Sequence, residues 1–128
     1  MEQNPQTQER ERRMASILCS STRSAFTEAL RAYILFRLSL PEDTRERSLY
    51  RLVVYSVKLR MPGTDAQQLE ERLATTDCHQ TSYVVSRKNL LMMEIERGLN
   101  IRLSPEALDR IVTTEDYADA LWETMSHD

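Results

Sequence analysis

Apolar residues recur at three- and four-residue intervals through most of the chain, and the polar residues between them mark where helices start and stop. From Glu9 a helical pattern places Met14, Ile17, Leu18 and Cys19 on one side. The polar run Ser20 to Ser24 interrupts it, either as a kink or as a break with a new N-cap. Phe26, Leu30, Tyr33, Ile34 and Phe36 to Leu38 then make a second apolar face that reaches Leu40, where Pro41 ends the helix. Glu42 and Asp43 suit the positive end of a third helix, which the spacing of Leu49, Leu52, Val53, Ser56, Val57 and Leu59 predicts from Thr44 to Arg60. Residues 1–8 are polar and are expected to fray.

Beyond "MPGTD", Thr64 or Asp65 can cap a short helix, "AQQLEERLA". Residues 75–85 show no period and read as a loop with an extended end. Ser86 is a preferred N-cap type for a fourth long helix that runs to Gly98, with Leu91, Met92, Ile95 and Leu99 as its buried stripe. Gly98 suits a left-handed cap at its end. "NIRL" alternates, so Ile101 and Leu103 share one side of a short extended link. "SPEAL" starts a short helix, with Ser104 as N-cap and Pro105 at the first helical position. Thr113 or Thr114 caps the last helix, whose inward residues are Tyr117, Ala120, Leu121 and Trp122.

Composition agrees with the pattern. Two glycines and four prolines in 128 residues leave little turn chemistry for strands. The expected fold is all-α: a small helical bundle at 41–128, with an extra N-terminal helical extension at 9–40. Cys19 and Cys78 are far apart in sequence and read as free thiols. No apolar run is long enough to span a membrane, and the polar N-terminus lacks the apolar core of a secretory signal, so a cytoplasmic protein is expected. The net charge of −3 is unevenly spread. Residues 1–40 carry six arginines against four glutamates, whereas residues 86–128 carry five basic side chains against nine acidic ones. Few aromatics sit among the arginines, which argues against a nucleic-acid-binding stripe.

The run from Leu91 resembles the second half of the acyl carrier proteins. Leu91, Ile95, Glu96 and Leu99 stand where that family has its helix leucines, glutamate and phenylalanine. Ile101 and Leu103 match its link, "SPEALDRI" its short helix and "IVTTEDYADAL" its closing turn and helix. The resemblance covers about a third of the chain. It implies a four-helix carrier arrangement and a serine bearing 4′-phosphopantetheine at the start of the long helix. In the same register Val84, Val85 and Ser86 replace the family's Asp-Ser-Leu, so the modification motif is absent. Ser86 is the first candidate for the cofactor and Ser82 the second. Leu91, Ile95, Leu99, Ile101 and Leu121 would line the interior that shelters an acyl chain. The family's recognition helix is usually acidic; here it opens with Arg87 and Lys88, the candidate partner-binding residues.

Other chemistry finds less support. Cys78 and His79 are neighbours in sequence with no third group to complete a nucleophilic site. His127 sits at the tail. Glu94, Glu96, Asp109, Glu115, Asp116 and Asp119 fall on expected solvent faces, so no paired-carboxylate site is expected. The chain is read as no enzyme, with no metal site and no cofactor other than phosphopantetheine. Its expected function is that of a divergent acyl-carrier-like protein acting as a carrier or binding module. The alternative is a non-catalytic interaction module or a homodimer through the N-terminal helices. A helix-turn-helix at "SPEALDRIVTTEDYADALW" ranks last, because Glu115, Asp116 and Asp119 would face phosphates.

Overall fold

The computed structural model describes residues 5–59 and 78–126, with the side chains of 78–82 outside that description. These residues form helices α1 (Pro5–Leu18), α2 (Arg23–Arg37), α3 (Leu49–Leu59), α4 (Cys78–Leu99), α5 (Pro105–Asp109) and α6 (Thr114–Ser126), with no strand among them. The expected all-α bundle is therefore present. None of these helices is long and apolar enough to cross a membrane.

Caps explain most of the boundaries. The Ser20–Ser24 run is a break: Thr22 Oγ1 accepts the Ala25 N–H at 3.1 Å and starts α2. Two helices end in the same device. After α2, the Leu40 N–H donates to the Leu35 carbonyl and the Ser39 N–H to that of Phe36, with Ser39 at φ 58°. After α4, the Ile101 and Asn100 N–H groups donate to Glu96 and Arg97, with Asn100 at φ 57°. This is the Schellman pattern, built on Ser and Asn rather than glycine. Gly98 is thus not the left-handed residue. It stays within α4, where α1 comes close enough that a Cβ would sit 2.5 Å from Met14 Cε.

Four expected boundaries are corrected. Residues 5–8 do not fray, since Pro5 opens α1, and Glu9 then bridges Arg12 and Arg13 along that helix. α3 starts at Leu49 instead of Thr44, because residues 44–47 are non-helical and Ser48 pairs with Thr113. There the Leu49 N–H donates to the Val112 carbonyl and the Thr114 N–H to that of Arg47, forming a two-stranded bridge between Ser48 and Thr113. The Arg47 carbonyl and the Leu49 N–H are thus bound to a distant segment, which no local propensity reveals. The Arg31 guanidinium holds the same link, donating to the Thr44 and Glu46 carbonyls and to Thr114 Oγ1. Third, 78–85 is helix rather than loop, since α4 begins at Cys78 and Val84 is buried on it. Fourth, and as a consequence, Ser86 lies inside α4 and is not its N-cap. The "AQQLEERLA" helix lies outside the described residues.

Remaining starts agree with the sequence. Ser104 Oγ accepts the Ala107 N–H, and Thr113 Oγ1 accepts the Asp116 N–H while Asp116 accepts from Val112 and Thr113. The last is a reciprocal capping box.

One hydrophobic cluster unites the elements. Phe26, Tyr33 and Ile34 of α2 are buried with Leu52 and Val53 of α3, Ile95 of α4 and Tyr117 and Leu121 of α6. Each such side chain contributes about 1.5–3 kcal/mol on burial. Phe26 also meets Trp122 at 5.4 Å between ring centroids. Two buried hydroxyls are satisfied by backbone carbonyls: Ser56 Oγ donates to that of Leu38 and Tyr117 OH to that of Met92.

Two predictions test this architecture. Ser39→Gly relieves a left-handed strain and should stabilise the protein by about 0.5 kcal/mol, with Asn100→Gly giving less because Asn tolerates that conformation. Thermal midpoints of the two variants check this. Arg31→Met leaves the Thr44 and Glu46 carbonyls without their charged donor and should cost about 2 kcal/mol in urea unfolding.

Candidate functional site: the outer face of α4

α4 is the longest helix and has two apolar sides. Inward, Val84, Leu91, Met92, Ile95 and Leu99 enter the core, as the sequence spacing of the last four predicts. Outward, Tyr83, Leu90 and Met93 are each more than half exposed. They share a ridge with Ser86 and Arg97, since positions 83, 86, 90, 93 and 97 alternate steps of three and four. A solvated helix face is usually polar, so three exposed apolar side chains on one ridge make it the candidate contact surface.

Shallow grooves flank the ridge. One of about 230 Å³ lies toward α2, between Arg37, Arg87, Leu90 and Glu94. A larger one of about 520 Å³ lies toward α5, with Val85, Met93, Pro105 and Leu108 as apolar lining and Lys88, Glu96 and Asp109 as charged lining. A third, beside Met93, is bordered by Arg97, Ile101 and Arg102.

The electrostatics follow from two glutamates that the sequence reading placed on solvent faces. Glu94 instead faces α1 and α2. Its carboxylate accepts from Arg37 Nε at 2.8 Å, from Arg37 Nη2 and Tyr33 OH at 2.9 Å each, and from Arg10 Nη1 at 3.4 Å. Burial works to raise its pKa, but the hydrogen bonds from Arg37 and Tyr33 and the charges of Arg37 and Arg10 outweigh it and hold the carboxyl below its ordinary value. Burial and the Glu94 contact in turn push the Tyr33 phenol well up. Glu96 is buried, and its Oε1 accepts the Leu103 N–H at 2.7 Å, which fastens the link after α4. Burial, then the charge of Glu96, raises Tyr117 strongly. Asp116 behaves as a cap should: backbone N–H groups of Thr113 and Val112 lower its pKa.

The candidate residues fall as follows. Ser86 is exposed on the ridge, one turn before Leu90, while Val85 beside it is partly exposed. The backbone of Ser82 lies in the first turns of α4, and its side chain is outside the described residues. Arg87 and Lys88 are half-buried and line different grooves, toward α2 and α5 respectively. Leu91, Ile95, Leu99 and Leu121 are packed together in the core, with Ile101 at its edge. Cys19 is an exposed free thiol. The side chains of Cys78 and His79, and His127, lie outside the described residues. No group of three His, Cys, Asp or Glu side chains converges among the described residues. Tyr83 and Leu90 were missed from sequence. The signal was available as apolar residues left off the inward stripe, but it shows only once the helix extends back past Ser86.

Comparison with protein-family models, curated proteins and solved structures finds no match.

The Glu94 contacts carry a pH dependence of defined sign. A carboxyl depressed on folding adds stability above its unfolded value, and that contribution is lost as pH falls through the lower folded one. Urea midpoints of wild type and Glu94→Gln should therefore differ most near neutral pH and converge below the ordinary glutamate range. A gap that stays constant with pH would remove Glu94 as the source.

Proposed function

We propose that this chain is a non-catalytic helical binding module of acyl-carrier-like shape, whose contact surface is the outer face of α4. The observation that carries the reading is the exposure of Tyr83, Leu90 and Met93 on a helix that already fills the core with its other side. The N-terminal helices are poorer candidates for a dimer contact, because Ile17, Phe26, Leu30, Tyr33 and Ile34 are all buried within the bundle. A photo-crosslinking residue at position 90 should form covalent adducts with a protein in cells. The same residue at Val112, exposed but remote in sequence from α4, is the comparison. Equal adducts at both positions, or none at 90, would remove the reading.

A second reading, a carrier bearing 4′-phosphopantetheine, draws on one observation: Ser86 is exposed beside the ridge and no longer accounted for as a cap. Against it, Ser86 sits well inside α4, whereas the family's serine opens its helix. Incubation with a phosphopantetheinyl transferase and coenzyme A should leave the intact mass unchanged. A mass gain that disappears in Ser86→Ala would replace the module reading with the carrier one. Since Ser86 is exposed, Ser86→Ala itself should alter stability by less than about 0.5 kcal/mol.

A further inference from the structure

Among the described residues, the charge around the α4 ridge is predominantly basic. Glu94 is neutralised within the bundle by Arg37, Arg10 and Tyr33, and Glu96 is turned inward onto the Leu103 N–H. Among the described residues beside Leu90 and Met93, Arg87 on the α2 side, Lys88 toward α5, and Arg97 with Arg102 beyond Met93 then outnumber the one exposed acid in the grooves, Asp109 beside Lys88. Arg87 Nε has no hydrogen-bond partner among the described residues, although it is shielded from solvent. The Arg87 side chain also lines the groove beside Leu90, where a guanidinium favours an incoming carboxylate. This holds although the whole chain is acidic at −3, so the basic face is local.

We infer that the partner is an acidic amphipathic helix, laid along α4 with apolar residues against Leu90 and Met93 and carboxylates against Arg87, Lys88 and Arg97. This rests on the α4 reading above and adds the chemistry of the occupant. The shape favours a helix over a membrane. Leu90 and Met93 border grooves that run on both sides of the ridge, and a rod with side chains on several faces fills grooves that a flat lipid surface leaves empty. The sign of the charge excludes the basic partner that an acidic carrier helix would take.

The test uses the full chain and three fluorescein-labelled peptides. One has leucines at three- and four-residue spacing flanked by glutamates, one has lysines in place of the glutamates, and one is a scramble of the acidic peptide. By fluorescence anisotropy the acidic helix should bind at least about tenfold more tightly than either control. Added salt should weaken it. Arg87→Glu with Arg97→Glu should reverse the preference between the acidic and lysine peptides, with the circular dichroism of the protein unchanged. Leu90→Asp should weaken the acidic peptide without unfolding the chain. Equal or tighter binding of the lysine peptide overturns the acidic partner while leaving α4 as a contact surface. Equal binding of the scramble overturns the helical occupant. Binding that ignores Leu90→Asp overturns the α4 site itself, and with it the proposed function. If no peptide binds, the partner inference falls and the crosslink at position 90 decides the module reading separately. Sedimentation of the protein with phosphatidylserine vesicles, or self-association abolished by Leu90→Asp, would assign the face to a membrane or to a second copy instead.

Discussion

The Glu94 carboxylate is the constraint on which the α4 geometry depends. It sits on α4 but accepts its hydrogen bonds from α1 and α2, through Arg10, Tyr33 and Arg37. Four donors converging on one half-buried carboxylate fix the rotation of α4 about its own axis, because an unpaired charge in that position would be costly. With the rotation set, Leu91 and Ile95 must point into the core, and Leu90 and Met93 must point out. The same contacts remove the negative charge of Glu94 from the surface, so the arginines and lysine predominate around the ridge. The orientation of α4 and the charge beside its ridge are thus linked through this side chain.

A second set of contacts secures the starts of α3 and α6. The bridge between Ser48 and Thr113 joins the start of α3 to the start of α6, and Arg31 of α2 clasps both. Each helix there also carries its own side-chain cap, Ser48 for Arg51 and Thr113 for Asp116. The sharp reversals after α2 and α4 are made without glycine, which leaves Ser39 and Asn100 in a conformation that side chains disfavour. Burial of Leu35 and Leu40 on either side of the first reversal, and the Glu96 bond to Leu103 beyond the second, hold them there.

Much of this was legible in the sequence. Core positions such as Phe26, Leu30, Leu52, Ile95 and Leu121 follow from helical spacing, because a helix repeats every 3.6 residues whatever it packs against. The starts of α5 and α6 follow from Ser104 and Thr113, because a capping bond reaches only three residues along the chain. Of the candidate site, the cations Arg87 and Lys88 and the exposed Ser86 could be named in advance. The apolar ridge could not, since a helix begun at Ser86 excludes Tyr83 and leaves Leu90 and Met93 as isolated exceptions.

Local rules thus determined the helical class, most of the inward faces and the caps at Ser104 and Thr113, all of which depend on neighbours within one or two turns. Tertiary structure decided the rest. Residues 44–48 stayed out of α3 because the Leu49 N–H and the Arg47 carbonyl found partners more than sixty positions away, at Val112 and Thr114. Glu94 and Glu96 turned inward because Arg37 and the Leu103 N–H were there to receive them. The sign of the charge on α4's outer face is the net result of those long-range pairings. No count of acids and bases along the helix contains it, because a carboxylate that is paired inside the bundle no longer acts outside it.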